Sequence, residues 1–240
     1  MKKNLIGIIG ALKIEIEGFK SIMTSTQTHE YGGIEFITGE IGKQRVVVAK
    51  SGMGKVFAGI CAQTMIDYFS PDLIVNTGIA GTLNEKAGIL DVVVANRTLQ
   101  HDVDSSPIGD PVGLVSGLPD VYMNCDKDAV EKIYDVTQAL GLNCIIGTIA
   151  SGDTFIADAE KKQWIRSFFG ADACEMEGGA IGQVCTFRNV PFCIIRTISD
   201  GGNEDAEMDY PRFSALAANQ SIRIVRAFAE SVARDNPEKI

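Results

Sequence analysis

Tryptophan occurs once in the 240 residues, histidine twice and proline seven times, and 22 basic side chains face 31 acidic ones. The resulting net charge of −9 lacks the basic excess of a nucleic-acid-binding surface, so no nucleic-acid partner is expected. No apolar run approaches the ~20 residues of a membrane-spanning helix, which removes the membrane as well. The six cysteines (Cys61, Cys125, Cys144, Cys174, Cys185, Cys193) contain no CxxC pair. They sit mostly in apolar segments and read as buried free thiols of a cytoplasmic protein. A GxSxG elbow and a Cys/His pairing are both missing, which argues against a covalent nucleophile. His101-Asp102-Val103-Asp104 has no second histidine or cysteine cluster to complete a metal site, and His29 lies in TSTQTHE, a polar stretch expected to be loop. Neither metal nor cofactor is expected. SGMGKVF (51–57) fails both phosphate-loop patterns: Phe57 stands where a dinucleotide fingerprint needs its third glycine, and Val56 where a P-loop needs Ser or Thr. What survives is a glycine-rich strand-to-helix turn that lets a ligand approach the backbone.

What the chain does have is apolar residues, 45% of the total, enough for one large core. No linker composition or repeat divides it, so residues 1–240 are expected to form a single domain. The opening MKKNLIGIIGALK resembles a signal peptide, but charges follow at once without a small-residue cleavage site; a buried first strand is expected instead. Apolar β-rich runs recur at 5–10, 45–50, 72–78, 91–96, 144–151 and 192–199, several without alternation, as suits strands buried on both faces. Helical patterns fall at Leu12–Met23, Lys55–Phe69, Asp126–Leu140, Asp158–Phe168, Gly178–Asn189 and Phe213–Val232. A hairpin spans 34–50 with its turn around Glu40–Gln44. The order predicts an α/β fold, a three-layer α/β/α sandwich on a mixed twisted sheet. Sites in such sheets collect beyond the carboxyl ends of the strands.

Those ends are rich in glycine and polar groups: GALKIE, SGMGK, NTGIAG, SGDTF and SDGG. Three carboxylates stand out there. Glu15 follows the first strand; Glu177, in CEMEGG, opens a Gly/Ala-rich helix whose positive end favours an ionised acid; Asp200 ends FCIIRTIS and leads into Gly201-Gly202. Each alone fits a surface or turn acid. Together, with Arg196 just upstream of Asp200, they can divide the hydrolysis of a glycosidic bond among a base for water, an acid for the leaving group and an acceptor for sugar hydroxyls.

GIIGALKIEIE, SGMGKV, NTGIAG, SGDTFI, EMEGGAIGQVC and RTISD resemble, in order and spacing, the bacterial 5'-methylthioadenosine/S-adenosylhomocysteine nucleosidases of the purine nucleoside phosphorylase superfamily, from about residue 5 to 232. The resemblance implies a nucleoside phosphorylase/hydrolase-like fold and a residue-by-residue set of roles. Glu15 would deprotonate the attacking water, with Arg196 positioning that water. Glu177 would bind the ribose hydroxyls above Met176. Asp200, steered by Ser199, would protonate adenine N7, for which it must hold a proton near neutral pH. Phe155 would stack on the base and the Ile156 backbone would pair with its edge. Leu12, Met53 and Tyr210 would line the pocket for the 5'-substituent, and Ile108 and Pro119 would close it from the second subunit of a homodimer. Glu175 would be structural. Ile79 stands where the family often has serine, and Ser105 and Ile108 replace bulkier apolar residues, so the 5'-group preference stays open. A phosphate-dependent phosphorylase, an aminodeoxyfutalosine nucleosidase and a non-catalytic nucleoside-binding protein are the alternatives.

Overall fold

The computed structural model describes residues 3–201 and 205–235; Gly202 therefore lies outside the described residues. The strands are β1 (Leu5–Gly10), β2 (Thr24–Tyr31), β3 (Ile34–Ile41), β4 (Gln44–Lys50), β5 (Leu73–Thr82), β6 (Val92–Gln100), β7 (Met123–Asn124), β8 (Cys144–Ser151), β9 (Ala173–Glu175) and β10 (Phe192–Asp200). The helices are α1 (Lys13–Ile22), α2 (Lys55–Phe69), α3 (Lys127–Ala139), α4 (Ala159–Phe169), α5 (Gly178–Arg188) and α6 (Ala206–Asp235). Local chemistry sets several boundaries. Asp126 and Asp158 cap α3 and α4 by accepting the N–H groups of Ala129 and Lys161, donors that a helix start would otherwise leave unpaired. Gly170 and Asn189, both in the left-handed region, end α4 and α5.

The sheet is mixed and runs β10-β6-β8-β9-β5-β1-β4-β3-β2. Besides this path, β10 pairs in parallel with β5. The ladder β5-β10-β6-β8-β9 therefore returns to β5, through the short antiparallel pairing of Gly81 with Cys174 and Thr82 with Ala173. The expected layers are present, since helices cover both faces, but part of the sheet closes into a ring that an open sandwich does not have. Closure removes strand edges and points several carboxyl ends at one place. One face carries α1, α3 and α6 over a core that includes Phe19, Ile133, Ile222 and Phe228. The other carries α2 and α5 over Ala62, Met65, Ile181 and Cys185. The first strand, β1, is central and buried from Ile6 onward.

Three expectations need correction. TSTQTHE is not a loop but most of β2, an exposed edge strand paired antiparallel with β3. Its β-branched threonines favour extended backbone, and an edge needs no apolar face to announce it; His29 meets Thr38 there across the ladder. NTGIAG is not a turn after a strand: β5 continues through it to Thr82, every residue buried. Finally, α6 starts at Ala206, before Pro211 rather than after it. Pro211 lies in the second turn, where its missing N–H forgoes one helical bond without ending the helix.

Candidate active site

The turn from β1 into α1 has no side-chain cap, because Leu12 has no oxygen to offer. Glu15, three residues on, supplies it: Oε2 accepts the N–H groups of Ala11 and Leu12, both at 2.8 Å. This is the backward half of a capping box. Oε1 accepts the Ile79 N–H from β5 at 3.2 Å. The carboxylate packs flat on Gly78, where a Cβ would fall 2.5 Å from Oε1. Burial drives the Glu15 pKa up, and the Arg196 charge and the N–H donors offset part of that rise. A buried carboxyl with raised basicity, held by backbone, suits a general base.

CEMEGG buries both of its acids, at 7% exposure each. Glu175 ends β9 and is fully engaged. Its Oε2 accepts the N–H groups of Glu177 and Gly178 at 3.1 and 2.7 Å, and the Arg196 guanidinium; its Oε1 accepts the Ser151 hydroxyl. Glu175, not Glu177, therefore meets the positive end of α5. Glu177 is the N-cap residue of that helix but its carboxylate turns away, and Oε1 accepts the Gly54 N–H at 2.8 Å. The expectation that the helix end keeps Glu177 ionised is corrected accordingly. Burial first, and the Glu175 charge second, push its carboxyl up to about 8.

Arg196, 1% exposed, lies behind the cavity wall and not on it. Its Nη2 donates to Asn76 Oδ1 at 2.6 Å and to Glu175, its Nη1 donates to the Ile195 carbonyl, and Glu177 Oε2 stands 4.0 Å away. A buried guanidinium needs such partners to offset its lost hydration. Asn76, which also donates to the Ile9 carbonyl, was missed in the sequence. Its one signal was a polar residue inside the apolar run DLIVNTG.

Asp200 ends β10 beside Gly81, past an irregularity in the β5 ladder, and is 2% exposed. The Ser199 hydroxyl donates to its Oδ2 at 2.8 Å. Tyr210, from α6, stands edge-on to Phe155 with ring centroids 5.6 Å apart. Burial raises the Tyr210 phenol pKa, and the charges of Glu15, Asp200 and Glu177 raise it further. That one ring thus senses all three carboxylates, which come from α1, β10 and the start of α5.

These groups gather around one cavity. Of the anticipated site residues, Glu15, Glu177, Asp200, Met176, Phe155, Ile156, Ser199, Leu12, Met53, Ile79 and Tyr210 line it. Ala80, Gly81, Thr154 and Cys174 line it too and were not anticipated. Arg196, Ile108 and Pro119 do not line it. Ile108 sits on a short 3-10 turn at 85% exposure, and Pro119 borders a separate groove with Cys125 and Cys185. No Lys, Arg or His contributes to the described lining, whereas four acids do: Glu15, Glu175, Glu177 and Asp200. Among the described residues no group of His, Cys, Asp and Glu could hold a metal ion, and no helix is long and apolar enough to cross a membrane.

Residues 5–230 match the family model of the phosphorylase superfamily. A 5'-methylthioadenosine/S-adenosylhomocysteine nucleosidase of Shewanella loihica is 38% identical over 92% of this chain and 96% of its own. The crystal structure of the nucleosidase of that name from Neisseria meningitidis, in complex with methylthio-immucillin-A, superposes with a TM-score of 0.92 at 33% identity, covering 95% of this chain and 99% of that one. A futalosine hydrolase of Helicobacter pylori superposes with a TM-score of 0.91 at 30% identity, covering 95% and 98%. With matches that span both chains almost end to end, and with the quoted motifs gathered around one cavity, the chain belongs to the phosphorylase superfamily and, within it, to the 5'-methylthioadenosine/S-adenosylhomocysteine nucleosidases.

Proposed function

We propose that this chain hydrolyses the N-ribosyl bond of 5'-methylthioadenosine and S-adenosylhomocysteine, releasing adenine and the 5-thioribose product. The observation that carries the choice of water over phosphate is the lining: four acids and no described cation. Phosphate binding calls for several donors and preferably a cationic cluster. The buried guanidinium of Arg196, behind the wall, is committed to Glu175, Asn76 and a carbonyl.

In the proposed reaction Glu15 takes the proton of a water that attacks the anomeric carbon. Glu177 binds the ribose hydroxyls above Met176. As the bond breaks, positive charge grows on the sugar, beside a lining that holds four acids and no described cation to oppose it. Asp200, oriented through the Ser199 hydroxyl, gives its proton to adenine N7, so the base leaves neutral. Phe155 stacks on adenine and the Ile156 backbone pairs with its edge. Leu12, Met53 and Tyr210 receive the 5'-substituent. Arg196 acts through Glu175, which braces the start of α5 and with it Glu177.

The working form is a homodimer whose second chain closes the 5'-pocket with Ile108 and Pro119. An apolar patch supports an assembly, since Val56, Phe57 and Ile60 on α2 stand 72%, 58% and 47% exposed. The place in the cell is the cytoplasm, in keeping with six free cysteines, and the role is methionine salvage. Adenine release is to be followed in phosphate-free buffer from methylthioadenosine, adenosylhomocysteine, plain adenosine and aminodeoxyfutalosine. Turnover of the first two without phosphate supports the proposal. A strict phosphate requirement, or turnover confined to aminodeoxyfutalosine, refutes it.

A further inference from the structure

Helix α2 begins against electrostatic preference: its first residue is Lys55, a cation at the positive end, and Gly54 before it offers no capping side chain. The two leading N–H groups are served from far away in the chain. Glu177 Oε1 accepts from Gly54 and Asp153 Oδ1 accepts from Lys55, both at 2.8 Å. A third carboxylate ties these together. Asp102 Oδ1 receives the Lys55 ammonium at 2.6 Å, and Oδ2 accepts the Asp153 N–H at 2.9 Å. The side chains of Lys55 and Asp102 are only 17% and 27% exposed, a setting where an ion pair is screened less than on the open surface. Gly54 has φ +93°, and a Cβ on it would lie 3.0 Å from Asp153 Oδ1; the fit leaves no slack. Neither Asp102 nor Lys55 lines the cavity.

The geometry points to Asp102 as a positioning residue for the sugar end of the site: through Lys55 and Asp153 it fixes the start of α2, which delivers the Gly54 N–H to Glu177. This role rests on the proposed function, in which Glu177 holds the ribose hydroxyls. The same strap anchors the turn that continues from Asp153 into Thr154 and Phe155, but the Gly54 contact is the direct link to a reacting partner.

A merely structural tie and a positioning role differ in what the sugar reports. In the wild-type chain, kcat/KM is to be measured on methylthioadenosine and on its 2'-deoxy analogue, then repeated for Asp102→Ala, Asp102→Asn and Lys55→Met, with thermal melts alongside. Where two groups act through one contact, deleting one removes most of the penalty for deleting the other. Asp102→Ala is therefore expected to lose about tenfold or more on methylthioadenosine and a clearly smaller factor on the 2'-deoxy substrate, which leaves only the 3'-hydroxyl for Glu177. Lys55→Met should follow the same pattern. Asparagine keeps one oxygen acceptor and is expected to restore part of the loss. If Asp102→Ala fails to fold, the other two variants carry the comparison. Equal losses on both sugars, or no loss on either, overturn the role and leave an ordinary structural tie. A wild-type chain that releases adenine from neither substrate overturns the proposed function and this role with it, a result distinct from the first two.

Discussion

Glu15, Glu177 and Asp200 share a cavity, yet their surroundings divide them. Glu15 takes three backbone N–H groups, contacts that fix its orientation whether or not a substrate is present. Glu15→Gln keeps the shape and leaves no base, so hydrolysis should fall by ~10²-fold or more while the fold survives, as steady-state kinetics and circular dichroism would register. Near-wild-type turnover removes Glu15 from the mechanism. Asp200→Asn keeps a hydrogen-bond donor but has no acidic proton to give. Its kcat should drop by ~10³-fold or more with adenine affinity changed far less, the pattern of an interaction completed only in the transition state. A nitrophenyl riboside, whose leaving group needs no N7 proton, should be spared; equal damage there excludes Asp200 as the acid. Glu177 permits a stability test. Its carboxyl stands at about 8 against an ordinary 4.5, so through that window the folded chain holds a proton that the unfolded chain has released. Stability from this group therefore falls as pH rises between those values. The Tm of the wild type should drop more between about pH 5 and pH 8 than that of Glu177→Gln; parallel curves would show that burial does not hold the proton there.

At the level of elements, the site depends on strand β5 coming close enough to touch an acid of helix α1. Gly78 makes that approach possible, since a methyl there would overlap Glu15 Oε1. The Ser221 hydroxyl, in turn bonded to Thr197, holds the Gly78 carbonyl from α6, so the strand cannot simply back away. Gly78→Ala should cost about 1–3 kcal/mol of stability through overpacking. It should also lower kcat/KM by about tenfold or more by displacing the base. Denaturant melts and kinetics measure the two effects. Unchanged kinetics would mean that Glu15 tolerates displacement and that its position is not critical.

For the whole molecule, the exposed α2 patch bears on assembly, as do Ile108 and Pro119, which do not line the cavity of their own chain. Light scattering at working concentration is expected to give a dimer. Phe57→Asp, a charge placed in the centre of the α2 patch, should yield monomers with kcat/KM reduced by about tenfold or more. An active wild-type monomer contradicts the assembly and the closing role of Ile108 and Pro119 together.

The sequence carried readable periods for the six helices and for strands β1, β3, β4, β5, β6, β8 and β10, but not for β2, β7 or β9. It also marked the three carboxylates, since acids at the ends of apolar runs are costly unless something uses them. It was silent where the deciding partner lies far along the chain. Which of the two acids in CEMEGG meets the helix end depended on Arg196 and Ser151 claiming Glu175 and on Gly54 claiming Glu177. Arg196 was legible as a charge near the site but not as one already neutralised behind the wall. β2 left no hydrophobic alternation, because an edge strand needs a partner and not a buried face. Ring closure through β9 rests on a strand of three residues, too short to carry a pattern. Such choices are settled by competition for charge and hydrogen bonds in a closed space, and that space exists only once the chain has folded.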